Sequence, residues 1–291
     1  MANDTVYSII AEKFIRYAEE HGMFPWQRPW FGVRDGAIKH VSGEPYSLLN
    51  QMLLGEPGEW LGYKQILSEH GKIKKGEEKQ YSIVAFWKPL PIKETTKDGK
   101  EVTKVIPFLR YDRVWHIDQC EGIKPKWDDE KLKAPANPIA SAEATLNGYV
   151  AKSGVKLFIE KSNKAYYSPM LDEIHVPLRE QFGKIAEFYS TAFHESVHST
   201  GHKSRLDRIK SNAHFGNEEY SKEELVAEIG AACLMNELGI ETPDTFRNSS
   251  AYVQNWLSVL KKDKTMIVSA AGKAEKAVKL ILNIEEGSDK K

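Results

Sequence analysis

The sequence predicts an α+β protein in two parts: a small α+β module, then a helix-rich α+β module built on a short mixed or antiparallel sheet. Three observations carry this. Two strand-like segments, residues 81–88 and 108–117, flank a charged turn and follow a helical opening. Composition then breaks into a polar, proline-punctuated stretch over residues 124–138. Behind it, short strands lead to a helix bearing HESVH, His194 to His198, with an acidic helix further on. The expected boundaries are 1–123 for the first domain, 124–138 for a linker and 139–291 for the second domain.

Each element has its own signal. Residues 5–21 put Val6, Ile9, Ile10, Phe14 and Tyr17 on one helical face, with Gly22 past the end. Next comes Phe24-Pro25-Trp26-Gln27-Arg28-Pro29-Trp30-Phe31, whose prolines exclude helix and predict an extended arm or loop carrying exposed aromatics. Residues 48–54 and 62–70 read as short helices. Tyr81 to Lys88 and Phe108 to Ile117 have strand composition, and Lys97-Asp98-Gly99-Lys100 is a hairpin signal between them. Phe86 and Trp87 must face opposite ways, one toward the core and one toward solvent. After the linker come a helix over 139–153, strands near 156–160 and 164–167, and a strand over 173–177 just ahead of the HESVH helix. That last strand is expected to offer its edge to an extended peptide. Helices over 251–262 and 270–284 follow, and the tail is expected to fray. No internal repeat is visible.

HESVH places two histidines four residues apart on one helix face, where both rings can reach a single Zn²⁺ and Glu195 is left beside it as a general base. The preceding residues contain no Gly or Pro, and Gly201 follows as a terminator. A third histidine six residues on is absent, since that position is Ser204. The carboxylate helix over 220–235 supplies candidates instead. Ser221 and Glu224 have capping-box spacing. Glu228 lies among Ala227, Gly230 and Ala231, small residues that let a second helix approach closely. Glu228 thus completes a His₂Glu set, with Glu224 one turn earlier as its competitor. His202 and Glu224 are candidates for residues behind the ligands, and His214 reads as a loop residue.

Composition narrows the class. The chain has 291 residues, 41 basic and 41 acidic side chains, 41% hydrophobic and 28% charged residues, which describes a soluble globular protein with room for two domains. No apolar run approaches membrane-spanning length and no secretory signal is visible, so the cytoplasm is the expected location. Cys120 and Cys233 form no CxxC pair, which argues against a disulfide framework or a cysteine zinc site. Zero net charge conceals a local bias: residues 71–110 hold ten Lys or Arg against five acids.

In this order, the segments resemble the ArdC antirestriction proteins of mobile elements. The first-module marks are Pro25-Trp26, Arg28-Pro29-Trp30, Ser42-Gly43-Glu44-Pro45-Tyr46, Trp60-Leu61-Gly62-Tyr63-Lys64-Gln65 and Val114-Trp115 leading to Gln119-Cys120-Glu121-Gly122. The second-module marks are Tyr167-Ser168-Pro169, Asp172-Glu173-Ile174, His194-Glu195 to Gly201-His202, Ser204-Arg205-Leu206 and Glu224-Leu225-Val226-Ala227-Glu228. The resemblance covers nearly the whole chain. It implies an N-terminal single-stranded-DNA-binding domain joined to a zincin-like metallopeptidase domain. It also implies a divalent metal, Zn²⁺ or another such as Mn²⁺, on His194, His198 and Glu228 with Glu195 as base. Asp207 departs from the pattern, which favours Asn there.

Single strands are held by a positive groove with aromatic platforms for stacked bases. Trp26, Arg28, Trp30, Lys72, Lys74, Lys75 and Trp87 are the candidates for that role. The leading expectation is a metal-dependent peptidase recruited to single-stranded DNA, acting on DNA-associated proteins and protecting incoming DNA. One rival is a non-proteolytic protein that coats single strands and keeps a structural or residual metal site. Another is a metallopeptidase with no nucleic-acid role.

Overall fold

Apolar spacing of three to four residues makes α1 (Ala2–His21) amphipathic, and Val6, Ile10, Phe14 and Ala18 are all buried. The computed structural model describes residues 2–28, 32–33, 36–95, 101–127, 135–209, 218–240 and 250–285. After α1 the chain does not extend into solvent. Pro25–Gln27 forms a 3₁₀ turn, and Phe24 and Trp26 stack on each other at 4.4 Å, both buried. Proline is tolerated in that first turn because its missing N–H would be unpaired there anyway. The expected arm of exposed aromatics is therefore corrected for Phe24 and Trp26, while Trp30 and Phe31 lie outside the described residues.

The first module's sheet has the order β1-β2-β5-β4, from β1 (Ala37–Lys39), β2 (Gly58–Gly62), β4 (Ser82–Thr95) and β5 (Glu101–His116). β1 runs parallel to β2, and the other pairs are antiparallel. Helices α2 (Leu48–Leu54) and α3 (Tyr63–Ser68) flank β2, and β3 (Lys72–Ile73) pairs with β6 (Cys120–Glu121). β2 meets β5 only at Val114, Trp115 and His116, whereas β4 and β5 stay paired out to Thr95 and Glu101. Beyond the three residues that meet β2, the β4–β5 pair is therefore a two-stranded ribbon, and one of its faces packs on the core through Ala85 and Leu109. Phe86, on the open face, is 38% exposed, and Trp87, at the rim of the packed face opposite Leu109, is 52% exposed, so neither is core. The turn expected over 97–100 lies outside the described residues.

The second module opens with α4 (Pro138–Ser153), capped by the Asn137 side chain, which accepts from the Ala140 N–H. Its mixed sheet has the order β7-β9-β8, from β7 (Lys156–Glu160), β8 (Tyr166–Ser168) and β9 (Glu173–Pro177). β9 is parallel to β7 and antiparallel to β8. The strand ahead of the HESVH helix is thus central, and its backbone groups are already paired on both sides. It offers no edge to a peptide, contrary to expectation; β7 and β8 are the outer strands. Helices α5 (Ile185–Thr200), α6 (Glu218–Glu237), α7 (Ser250–Lys262) and α8 (Met266–Ile281) complete the fold.

One hydrophobic core runs through both modules, holding Phe14, Trp26 and Leu48 together with Phe193, Leu257 and Ala271. α1 packs on α7 and α2 on α8. The linker is also docked where it begins. Backbone N–H groups of Lys126 and Trp127 donate to Glu59 Oε1 at 2.8 and 2.9 Å, and the Trp127 indole donates to the His40 carbonyl at 2.8 Å. Among the described residues no helix is long and apolar enough to cross a membrane.

Candidate metal centre and nucleic-acid face

Helix α5 buries Phe188, Ala192, Phe193 and Val197 against the core, which leaves His194 and His198 along the flank facing α6. The two helices approach as the small residues predict. A Cβ added at Gly230 would lie 2.8 Å from Val197 Cγ2, and Ala227 and Ala231 are fully buried. Gly201 ends α5 in a right-handed conformation (φ −77°), not the left-handed one common at helix ends. The following loop folds back onto it, with Arg208 and Ile209 N–H groups donating to the Gly201 carbonyl.

Three side chains converge. The Nε2 atoms of His194 and His198 face each other at 3.2 Å. Glu224 straddles them, with Oε2 at 3.5 Å from His194 Nε2 and Oε1 at 3.3 Å from His198 Nε2. Their donor atoms all lie within 4.8 Å of one another, a group able to hold a metal ion. Glu228 stands elsewhere: its Oε1 is 3.9 Å from Nδ1 of His194, the nitrogen pointing away from the cluster. Glu224, one helical turn before Glu228, is the carboxylate that faces both Nε2 atoms. Helix α6 begins at Glu218, so Ser221 lies inside it and the expected capping box does not start the helix. Glu224 is left to face the imidazoles.

A third carboxylate serves His198. Glu223 Oε1 lies 3.4 Å from its Nδ1 and is gripped by Arg208, whose Nε and Nη2 donate to the two oxygens at 2.9 and 2.7 Å. Burial alone would lower the His198 pKa, but hydrogen bonds it donates to Glu223 and Glu224 and the charge of Glu195 outweigh it and push it up to about 10. Burial would likewise raise Glu224, yet the two histidines hold its carboxyl well below the usual range. The residues fit a divalent cation. Two imidazole nitrogens that cannot both carry protons at 3.2 Å, beside a carboxylate, form an N,N,O donor set suited to Zn²⁺ or Mn²⁺.

Glu195 is buried on α5, close enough for its charge to raise both His198 and Tyr220. Tyr220 was not legible as a site residue. Burial, then the charge of Glu224 and a hydrogen bond to it, raise its pKa, so its hydroxyl stays protonated beside the cluster. His202 lies beyond the helix end and turns away. Its Nδ1 pairs with Ser204 Oγ at 2.8 Å and stands 3.8 Å from Asp172 Oδ2. His214 lies outside the described residues.

Residues 4–115 match the family described as the N-terminal domain of anti-restriction factor ArdC, and residues 144–273 match the zincin-like metallopeptidase family. The crystal structures of antirestriction ArdC protein from the R388 plasmid are similar at 32% identity. The metal-free form has a TM-score of 0.70, covering 94% of this chain and 96% of that one. The Mn(II)-bound form has a TM-score of 0.72, covering 95% and 97%. The chain belongs to the ArdC antirestriction family. A DNA primase TraC of Escherichia coli is 31% identical over 95% of this chain, and a second is 30% identical over 96%. The chain spans only 27% and 20% of the length of these two relatives.

Asp207 sits at φ 46°, in the left-handed region that Asn and Asp enter more readily than other side chains do.

For nucleic acid, the structure redistributes the candidates. Trp26 is core, its ring covered by Phe24 and Phe14, so it has no face to offer a base. Arg28 lies over the Tyr17 ring at 3.9 Å. Lys72 is exposed and paired with Glu121 at 3.3 Å, while Lys74 and Lys75 are exposed on the loop after β3. Trp87 is exposed on the ribbon face it shares with Leu109. The opposite ribbon face carries a pattern that single-strand reading missed. Phe86 lies across from Arg110 and Lys88 across from Phe108, and directly opposed residues share a face. Aromatic and cation therefore alternate diagonally across two strands. Arg110 and Phe108 also line a groove of about 1000 Å³ that reaches Tyr63 and Lys64. Only the β4–β5 register reveals this, because the four residues come from segments far apart in sequence.

Proposed function

We propose that this chain is a metal-dependent, single-stranded-DNA-binding antirestriction protein whose second module cleaves proteins associated with DNA. The observation that carries the reading is the convergence of His194, His198 and Glu224 on one point with Glu195 buried beside it. A divalent cation held by these three would supply Lewis acidity toward a peptide carbonyl and a water molecule. Glu195 takes the proton of the attacking water and delivers it to the leaving amine. The Tyr220 hydroxyl, held protonated by burial and by Glu224, donates to that carboxylate. Mn²⁺ in the R388 relative supports a divalent ion here, with Zn²⁺ the alternative suggested by the donor set.

DNA is held on the ribbon face bearing Phe86, Lys88, Phe108 and Arg110, with Tyr63 and Lys64 on the rim of the adjoining groove. Stacking on such aromatics contributes about 1–3 kcal/mol per base, and the cations follow the phosphates. Holding a DNA-bound substrate near the metal centre raises its effective concentration. The second reading, protection by coating alone, is favoured by this face, because none of its residues belongs to the metal cluster.

Both readings meet in one experiment. Glu195→Gln is expected to keep metal and DNA binding while abolishing cleavage of a DNA-crosslinked protein. Phe86→Ala with Arg110→Ala is expected to lose salt-sensitive retention on a single-stranded oligonucleotide while keeping metal. Cleavage by Glu195→Gln at the wild-type rate would remove the peptidase assignment. Full protection in cells by the same variant would favour coating.

A further inference from the structure

The structure assigns a part of the metal centre to the first module. We propose that Trp26 is a positioning residue that acts through the Tyr252 hydroxyl to fix Glu228 behind His194. This rests on the reading of His194, His198 and Glu224 as ligands.

A chain of polar contacts runs from one module to the other. The Trp26 indole N–H donates to the Tyr252 hydroxyl at 3.5 Å, and that hydroxyl donates to Glu228 Oε2 at 3.4 Å. The other oxygen of Glu228 stands 3.9 Å from His194 Nδ1, which is buried and makes no hydrogen bond of its own. The two groups at its ends set the direction of this chain. An indole can only donate and a carboxylate can only accept, so the tyrosine must accept from one and donate to the other. Glu228 Oε1 is the carboxylate oxygen facing His194 Nδ1, beyond hydrogen-bond distance at 3.9 Å, and its negative charge favours the proton on that nitrogen. That tautomer turns the Nε2 lone pair toward His198 and Glu224, the orientation a metal ligand needs.

The strap carrying Trp26 is bolted to the same helix that carries the carboxylates. Asn236 Nδ2 donates to the Arg28 carbonyl at 2.7 Å, and the Val33 N–H donates to Glu237 Oε1 at 2.5 Å. Gly32 lies so close to Glu237 that any side chain there would collide with its carboxylate. Trp26 itself is 1% exposed and stacked on Phe24. A buried indole needs a partner for its N–H, and here that partner belongs to the second module. The metal centre is therefore assembled by both modules.

The test is Zn²⁺ affinity of the full chain, measured by competition with a chromophoric chelator, alongside the melting temperature of the metal-free protein. Tyr252→Phe and Trp26→Phe are each expected to weaken Zn²⁺ by about tenfold, the scale for losing a partner behind a ligand. The double variant is expected to be no weaker than Tyr252→Phe alone, because both act through one carboxylate. Phe14→Leu, which disturbs the packing beside Trp26 but not the polar chain, is expected to lower the melting temperature and leave Zn²⁺ affinity unchanged. Wild-type affinity in Tyr252→Phe overturns the proposal, as does an additive double variant. Should Trp26→Phe fail to fold, Tyr252→Phe decides alone. A wild-type chain that binds no Zn²⁺ would sink the ligand reading and this inference together. Binding that is lost in Glu224→Gln but intact in Tyr252→Phe would sink only this inference.

Discussion

At the scale of single residues, the two glutamates one turn apart on α6 face different nitrogens. Glu224 faces both Nε2 atoms, and Glu228 faces only the outer nitrogen of His194. Glu224→Gln removes a charged donor from the cluster, so metal affinity should fall by more than about 100-fold. Glu228→Gln should cost about 10- to 100-fold, the range for a group that orients a ligand. Isothermal titration with Zn²⁺ or Mn²⁺ separates the two, and equal losses would undo the distinction. Asp172 lies in the turn between β8 and β9. Arg205 reaches Asp172 through two nitrogens, and Tyr167 donates to it at 2.8 Å. Burial would raise the Asp172 pKa, but these partners hold it below the usual value. A carboxyl lowered on folding contributes stability that is complete above its unfolded pKa, roughly 4, and is lost as pH falls through the lower folded value. Asp172→Asn should therefore cost about 3 kcal/mol at neutral pH by stranding the buried Arg205. Its stability should also change less than wild type below about pH 4. Urea melts across that range measure both effects.

At the scale of elements, the HESVH helix and the short sheet of the second module were legible because their signals are local. β7 and β9 fall on the expected residues, and α5 ends at the expected Gly201. Three things depended on partners that no local pattern records. β9 became a central strand because β8 folded back beside it. Phe86 and Trp87 both stayed exposed because β4 and β5 outrun the sheet. Trp26 became core because α6 and α7 supply its surroundings from the far end of the chain. The cluster of His194, His198 and Glu224 was half legible: spacing put both histidines on one helix face, but which glutamate faces their Nε2 atoms depended on the helix-to-helix register. That register depends on Gly230. A methyl group there meets Val197 at 2.8 Å, closer than van der Waals contact allows. Gly230→Ala gains about 1 kcal/mol of helix propensity but overpacks a tight contact, which costs about 1–3 kcal/mol. Overpacking should win, lowering the melting temperature and weakening metal binding as α5 and α6 separate. Adding Val197→Ala should restore much of both, whereas a lone Gly230→Ala that stabilises the protein would show the helices can part freely.

For the whole molecule, the composition break at residues 124–138 does not mark a break in the core. α7 packs on α1 while burying Val253, Trp256, Leu257 and Leu260. Leu48 at the start of α2 donates its N–H to Glu275 of α8 at 2.9 Å, so the second module caps a helix of the first. Lys261 and Lys264 pair with Glu19 and Glu12 across the same boundary. Ion pairs this exposed add little, so the apolar contacts decide. Each large side chain uncovered by losing the first module forfeits about 1.5–3 kcal/mol, and a domain's whole margin is about 5–15 kcal/mol. Uncovering the buried face of α7 alone would consume most of that margin. The chain is therefore expected to unfold in one cooperative transition, with tryptophan fluorescence and far-ultraviolet circular dichroism giving coincident curves. A fragment beginning at residue 124 should lack fixed packing and bind hydrophobic dyes. Two separated transitions, or a folded fragment of that kind, would mean that the modules stand alone and that the shared core contributes little to their stability.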